Sequence, residues 1–293
     1  TKNPEEKPYF LTNQSAGSFN TFKHSFEAGT GKFLNNLLSV SARYSIINSD
    51  GYIDRAFSKL NSYNINAHFE KGNTKLRFLT FGGKEKTYQA WNGIDKATYE
   101  SNPKFNYSGA IYDANWENII GFYDNETDNY RQNHYHLLWE QKLGKIWNLE
   151  TTFHLTHGEG YYENYKQDAK FSKYDLPNIV ENGNTITRTD FIRKKWLDND
   201  FYGVVSNLYG NFENVNLNFG VTANQYFGRH FGNVSGVKYT DIFEHEYYRN
   251  NALKNEVSGF AKAIYKMEKL EFFGDLQLRN IDYKTYVLDE NAE

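Results

Sequence analysis

"WNLETTFHLTHGEGYY", residues 147–162, alternates in character almost without error as far as His157. Trp147, Leu149, Phe153 and Leu155 fall on one side, and Asn148, Glu150, Thr152, His154 and Thr156 fall on the other. A period of two marks a β-strand, because successive side chains of a strand point to opposite faces. One face of this strand calls for apolar surroundings and the other for polar ones.

The pattern spreads in both directions along the chain. Leu38, Val40, Ala42, Tyr44 and Ile46 alternate with Ser39, Ser41, Arg43 and Ser45. Tyr63, Ile65, Ala67 and Phe69 alternate with Ser62, Asn64, Asn66, His68 and Glu70. Tyr202, Val204, Leu208 and Phe212 share a face, as do Val215, Leu217, Phe219 and Val221. Leu270, Phe272, Leu276 and Leu278 oppose Glu271, Asp275, Gln277 and Arg279. The reading gives about ten strands, at 20–31, 35–47, 61–71, 74–86, 131–143, 147–159, 200–212, 215–230, 253–267 and 269–285. Most exceed the roughly five or six residues usual in globular sheets. A tilted strand crossing a membrane needs roughly 9–11 residues in the hydrocarbon. Pro4, Pro8, Pro103 and Pro177 all lie outside these strands, as expected of a residue that cannot donate to a ladder.

The connections alternate as well. Short turns ("GKFL", "KGN", "GKI", "ENV", "MEK") take turns with long loops at 48–60, 87–130, 160–199 and 231–252. Short periplasmic turns at one end and long extracellular loops at the other are the layout of an outer-membrane barrel. On that assignment Tyr63, Tyr135 and Tyr202 sit at the outer ends of the strands, and Phe69, Trp147, Phe212 and Tyr265 at the inner ends. Two aromatic bands flanking an aliphatic middle suit a lipid-facing surface. The fold expected is therefore all-β: an antiparallel up-and-down transmembrane β-barrel segment. Its polar face, with Arg43, His68, Glu150 and His154, would line a wet or plugged lumen. A soluble β-sandwich with one buried face is the competing reading of the alternation alone.

Composition agrees. Aromatic residues make up 18% of the 293, with 24 Tyr and 23 Phe, and such residues favour strands and membrane interfaces. The formal net charge is -3, so no basic surface argues for nucleic acid. The absence of cysteine excludes a disulfide framework and thiolate chemistry. No apolar run is long enough for a transmembrane helix. Residues 1–10, "TKNPEEKPYF", lack the apolar core of a secretion signal, so a leader is expected to have been removed, or the chain to be an internal piece.

Several stretches resemble TonB-dependent outer-membrane receptors of the Bacteroidetes type. They are "NSDGYIDRAFSKLNSY" (48–63), "FGGKEKTYQAWNGI" (81–94), "DNETDNYRQNHYHLLW" (124–139), "THGEGYYENY" (156–165) and "RKKWLDNDFYG" (193–203). They look like the loop-and-strand junctions of that family's central barrel. The resemblance implies a receptor in the Gram-negative outer membrane that binds a scarce nutrient, such as a ferric siderophore, haem, cobalamin or a glycan, for TonB-energised uptake. Its implied partners are outer-membrane lipid, the TonB complex, the ligand and a surface lipoprotein. The plug, the TonB box and the terminal aromatic strand of the family are not seen here, so residues 1–293 read as a partial barrel without plug domain and C-terminal strands.

The candidate binding residues lie in the long loops and at the rim. Trp91, Tyr112 and Trp116 belong to loop 87–130, and Tyr161, Tyr162 and Trp196 to loop 160–199. Flat aromatic faces at a loop surface could stack on a siderophore ring, a corrin or a sugar. Arg229 and His230 close an ascending strand and could meet an anion; a solvated rim or an ion pair is the plainer alternative. Asp124, Glu126 and Asp128 have the opening spacing of a calcium loop but lack its glycine and distal glutamate. No cofactor is expected, with loop calcium as the alternative. His134 and His136 share a strand face, and the sequence offers no third ligand beside them. There is neither G-x-S-x-G nor H-E-x-x-H, and no enzymatic activity is expected. The rival functions are a passive porin-like barrel and a soluble carbohydrate-binding or carbohydrate-active β protein.

Overall fold

The computed structural model describes residues 4–287. The strands are β1 (Tyr9–Gly17), β2 (Thr21–Gly29), β3 (Leu38–Ser49), β4 (Ser58–Lys71), β5 (Thr74–Tyr88), β6 (Ala110–Tyr112), β7 (Ile119–Phe122) and β8 (Thr127–Leu143). They continue as β9 (Trp147–Lys170), β10 (Ile179–Glu181), β11 (Asn184–Ile186), β12 (Arg188–Asn211), β13 (Val215–Gly236), β14 (His245–Lys266) and β15 (Glu271–Val287). Eleven of them form one antiparallel sheet in the order β1-β2-β3-β4-β5-β8-β9-β12-β13-β14-β15. The other four make two small hairpins, β6–β7 and β10–β11, inserted in the two longest connections. Among the described residues β1 and β15 are the edges of the sheet.

The strand register confirms the two faces. Leu137, Phe153 and Val204 lie side by side on β8, β9 and β12. Tyr135, Leu155 and Tyr202 form the next row toward the long loops, and Tyr44 pairs with Tyr63. Tyr63 lies across Gly82, and its hydroxyl donates to Asn133 Oδ1 at 2.9 Å. A Cβ on Gly82 would come within 3.0 Å of the Tyr63 ring, so the small residue opens the path. At the other end Trp147 meets Phe212 edge-on at 5.6 Å. The two-residue turn from β4 to β5 places Gly72 at φ 59°, where a glycine carries no steric cost.

Among the described residues the main partners of the eleven sheet strands are their sheet neighbours, and no second sheet lies over the apolar face. Phe153 is 48% exposed and Leu278 83%. A sandwich needs a second sheet on that face, and the described residues form none there. Among the described residues no helix is long and apolar enough to cross a membrane, which says nothing of crossing by strands. Replacing Phe153 with arginine is expected to destabilise the lipid-inserted sheet by about 2–4 kcal/mol. Thr152→Arg, one residue away on the polar face, should cost far less. Urea titrations of refolded protein in lipid vesicles measure both, and equal costs would remove the lipid assignment.

The sheet agrees with the about ten strands expected: it has eleven, the further one being β1, "YFLTNQSAG", which lacks a clean alternation and was not legible as a strand. The loop bounds need correction. The strands run further than the apolar alternation does. β9 and β12 each hold 24 residues, so loop 160–199 shrinks to 171–187 and loop 87–130 to 89–126. Tyr161, Tyr162 and Trp196 consequently stand on strands rather than in a loop. Arg229 and His230 are likewise inside β13, which continues to Gly236. Beyond the membrane neither face meets lipid, so nothing maintains an apolar period of two there.

Candidate functional site at the long-loop end

Among the described residues a cluster of buried hydrophobic side chains lies above the Tyr135–Tyr202 row. Phe171, Tyr174, Phe191, Val234 and Tyr247 pack together, flanked by Leu176, Ile179, Ile186, Tyr239 and Ile242. A 3-10 turn at Phe171–Tyr174 folds the 171–187 connection down onto β12, β13 and β14. Phe171 meets Phe191 edge-on at 5.5 Å, and Tyr174 meets Phe191 at 5.0 Å.

The 89–126 connection is held by polar groups instead. Glu126 is buried, 7% exposed. Its Oε1 accepts from Asn164 Nδ2 at 2.8 Å and its Oε2 from the Tyr165 amide at 2.8 Å. Gln89 Nε2 donates to the Thr127 and Glu163 carbonyls at 3.1 and 2.9 Å. Asn106 Nδ2 donates to the Asp54 and Gln89 carbonyls at 3.1 and 2.9 Å. Arg55 lies over the Phe122 ring at 3.6 Å and donates to the Asn106 carbonyl. Tyr123 and Asn125 both donate to Glu163 Oε1 at 2.5 Å. Burial pushes the Glu126 carboxyl above its ordinary value. Burial also raises the Tyr123 phenol, with the Glu163 carboxylate adding to the effect.

Between these two anchored connections opens a cleft of about 490 Å³. The β6–β7 hairpin forms one wall. Gln167 fixes it to β9, accepting from the Tyr112 amide at 2.8 Å and donating to the Tyr112 carbonyl at 2.7 Å. Tyr112 and Trp116 stack at 5.7 Å with 27° between planes, and Trp116 takes a left-handed backbone, φ 63°. Lys166, Lys170, Lys173 and Arg188 line the cleft with them. Arg188 Nε donates to Asp168 at 2.8 Å. Burial, reinforced by neighbouring Arg193, pulls the Lys166 ammonium below its ordinary value. A bound anion would relieve that cost, since an opposite charge nearby favours the charged form. Flat aromatic surface beside several cations suits an anionic, ring-bearing ligand.

The eight residues singled out from the sequence fall into separate groups. Tyr112 and Trp116 line the cleft. Trp91 meets Tyr162 edge-on at 5.5 Å. Tyr161, Trp196 and Phe231 form a ladder across β9, β12 and β13, with centroids 4.3 and 5.6 Å apart. Arg229 donates to Asp198 at 2.9 and 2.6 Å and to Asp200 at 2.8 Å, so its fork is held by strand neighbours. His230 is exposed. The acidic triplet is not gathered for calcium: Glu126 is occupied by Asn164 and Tyr165, and Asp128 stands on β8. The one group of three metal-type ligands gathered within 4.8 Å among the described residues is His157, Asp198 and Asp200. The cleft's basic residues were missed from the sequence, although "YKQDAKFSKY" (165–174) carries three lysines at short intervals.

A sheet of this height, with one apolar face, short turns at one end and an anchored cap at the other, has the fold of a segment of the barrel wall of outer-membrane receptors. The barrel expected from the loop and junction motifs, that of TonB-dependent receptors, is the fold observed. Solved structures that share it include the ferric-catecholate import receptor Fiu from E. coli K12, with 13% sequence identity and a TM-score of 0.65; the match covers 98% of this chain and 43% of that one. The ferric citrate transporter FecA in its unliganded form matches with 8% identity and a TM-score of 0.71, over 98% of this chain and 40% of that one. BauA, the ferric preacinetobactin receptor from Acinetobacter baumannii, matches with 9% identity and a TM-score of 0.66, over 97% and 43%. The chain thus spans about two fifths of the length of these receptors, which are transport proteins and not enzymes. No protein-family model and no curated protein matches the sequence.

Proposed function

We propose that the chain is part of the barrel of an outer-membrane receptor that captures an anionic iron chelate, of the ferric siderophore class, for TonB-energised uptake. The observation that carries this reading is the cleft, where the Tyr112–Trp116 stack stands beside Lys166, Lys170, Lys173 and Arg188. Catecholate and carboxylate chelates of ferric iron offer flat or negatively charged surfaces that match it. The shared fold with receptors for ferric catecholate, ferric citrate and ferric preacinetobactin supports the same reading. No bond is made or broken: the cap binds the cargo, and the barrel gives it passage.

Quenching of tryptophan fluorescence by a ferric tris-catecholate and by ferric citrate, with the protein in detergent, tests the proposal. Trp116→Ala is expected to weaken binding about tenfold, in the range of one lost aromatic contact. Lys170→Glu should weaken it at least as much and make the remaining affinity less sensitive to salt. Binding of neutral oligosaccharides in preference to either chelate would give the function to glycan uptake. Passive permeation of small solutes through lipid vesicles, with neither chelate bound, would give it to a porin.

A further inference from the structure

On the polar face of the sheet the structure supplies what the sequence withheld: a third histidine beside His134 and His136. His154 on β9 stands directly opposite His136 on β8. The ring centroids of His134 and His136 are 6.1 Å apart, and those of His136 and His154 are 6.5 Å apart. We propose that His134, His136 and His154 form a binding site for a divalent transition-metal ion on the inner wall of the barrel.

Four features carry the proposal. The three rings line one hollow of about 680 Å³, shared with Thr152, Thr156 and Phe201. Thr156 Oγ1 lies 2.9 Å from His134 Nδ1; with Nδ1–H donating to that hydroxyl, Nε2 presents its lone pair to the hollow. Such a partner behind a ligating imidazole fixes its tautomer and orientation. Phe81 stacks on His134 at 4.4 Å, and Phe201 lies 4.8 Å from His154, so aromatic walls restrict both outer rings to this side. Two imidazoles on one ion, with metal–nitrogen bonds near 2.0–2.1 Å, have centroids roughly 5 Å apart. The two neighbouring separations exceed this by about 1 to 1.5 Å, so the rings must rotate toward one another to close on an ion.

The ligand set decides the ion. Three neutral nitrogens without a carboxylate in the hollow favour Cu2+, Zn2+ or Ni2+ over Ca2+ and Mg2+, and Cu2+ most strongly. The other candidate on the molecule, His157 with Asp198 and Asp200, faces the opposite side of the sheet. Arg229 already occupies both of its carboxylates, and an ion there would have to displace a held guanidinium. The histidine site does not depend on the iron-chelate reading, since it lies on the strands and not in the cap.

Cu2+ titration of the protein in detergent, followed by electron paramagnetic resonance, tests the site. The expected spectrum shows coupling to two or three imidazole nitrogens at about one Cu2+ per chain, unaffected by millimolar Ca2+. His136→Gln and His154→Gln should each weaken binding by at least the ~10–100-fold that follows loss of an outer partner, while His157→Asn leaves it unchanged. Heat-modified gel mobility checks that each variant is folded. Should the variants fail to fold, the nitrogen count on the unmodified protein decides. Oxygen-only coordination, unchanged affinity in the His136→Gln/His154→Gln double variant, or loss of binding in His157→Asn would overturn the assignment.

Discussion

Phe191→Ala is expected to cost about 3–5 kcal/mol and to open the 171–187 connection while leaving the membrane part of the sheet in place. Phe191 is fully buried and is touched by both Phe171 and Tyr174. Deleting its ring removes the apolar transfer energy and leaves a cavity that the rigid β12–β13 backbone cannot collapse to fill. The sheet below draws nothing from this core, because its apolar face is turned outward. Amide exchange should therefore lose protection at residues 171–187 and at the long-loop ends of β12 to β14, with little change at Leu149–Leu155. Uniform loss along the strands would mean that cap and sheet unfold as one unit. Ligand binding should fall with the cap, since Lys173 lies in the segment released and Lys170 adjoins it.

Glu126→Ala is expected to release the 89–126 connection at a cost of about 3 kcal/mol or more, because the buried Asn164 amide and Tyr165 N–H would lose a charged acceptor. Glutamine should not rescue it fully: its amide nitrogen would face a donor on one side. The interaction also has a pH signature. Burial raises the folded value of Glu126 above its ordinary 4.5, so between these two values the folded loop holds a proton that the unfolded loop releases. Stability of the loop falls as pH rises through that window and levels off above it. Limited proteolysis across pH 4 to 8 reads this out. A loop equally protected in Glu126→Ala, or one that tightens as pH rises through the window, would show that other contacts hold it.

How much was legible follows from what each solvent demands of the chain. Within the membrane, lipid on one side and polar surroundings on the other force strict alternation, and Leu149, Phe153, Val204 and Val221 could be assigned to a face from the sequence. Above it, "GYYENYKQDAK" (160–170) and "RTDFIRKKWLDN" (188–199) pair in a β ladder broken by one register shift between Thr189 and Phe191, with no such alternation. Backbone hydrogen bonds hold them, and those carry no residue signature. The cap was less legible still. Tyr112 and Trp116 could be nominated as loop aromatics, but the cations they share a cleft with come from β9, the 3-10 turn and the start of β12. Glu126, read with Asp124 and Asp128 as the opening of a calcium pattern, is a brace between a loop and a strand, and only the fold brings Asn164 to it. His154 was identified as a lumen residue, and its place opposite His136 needed the β8–β9 register.

The pairing of each sheet strand with its nearest neighbours has a consequence for how the molecule is made. Strands joined by short turns, β4–β5, β8–β9, β12–β13 and β14–β15, can zip as local hairpins, with little loop-closure entropy to overcome. The slower events are the joining of β5 to β8 and of β9 to β12, across residues 89–126 and 171–187. A slip of one residue in any of these joins turns every side chain of a strand to the other side. For β8 that would place His134 and His136 in hydrocarbon and withdraw Leu137 from it. Lipid thus acts as the editor of register, rejecting misaligned hairpins by the same contrast of faces that first appears at Trp147.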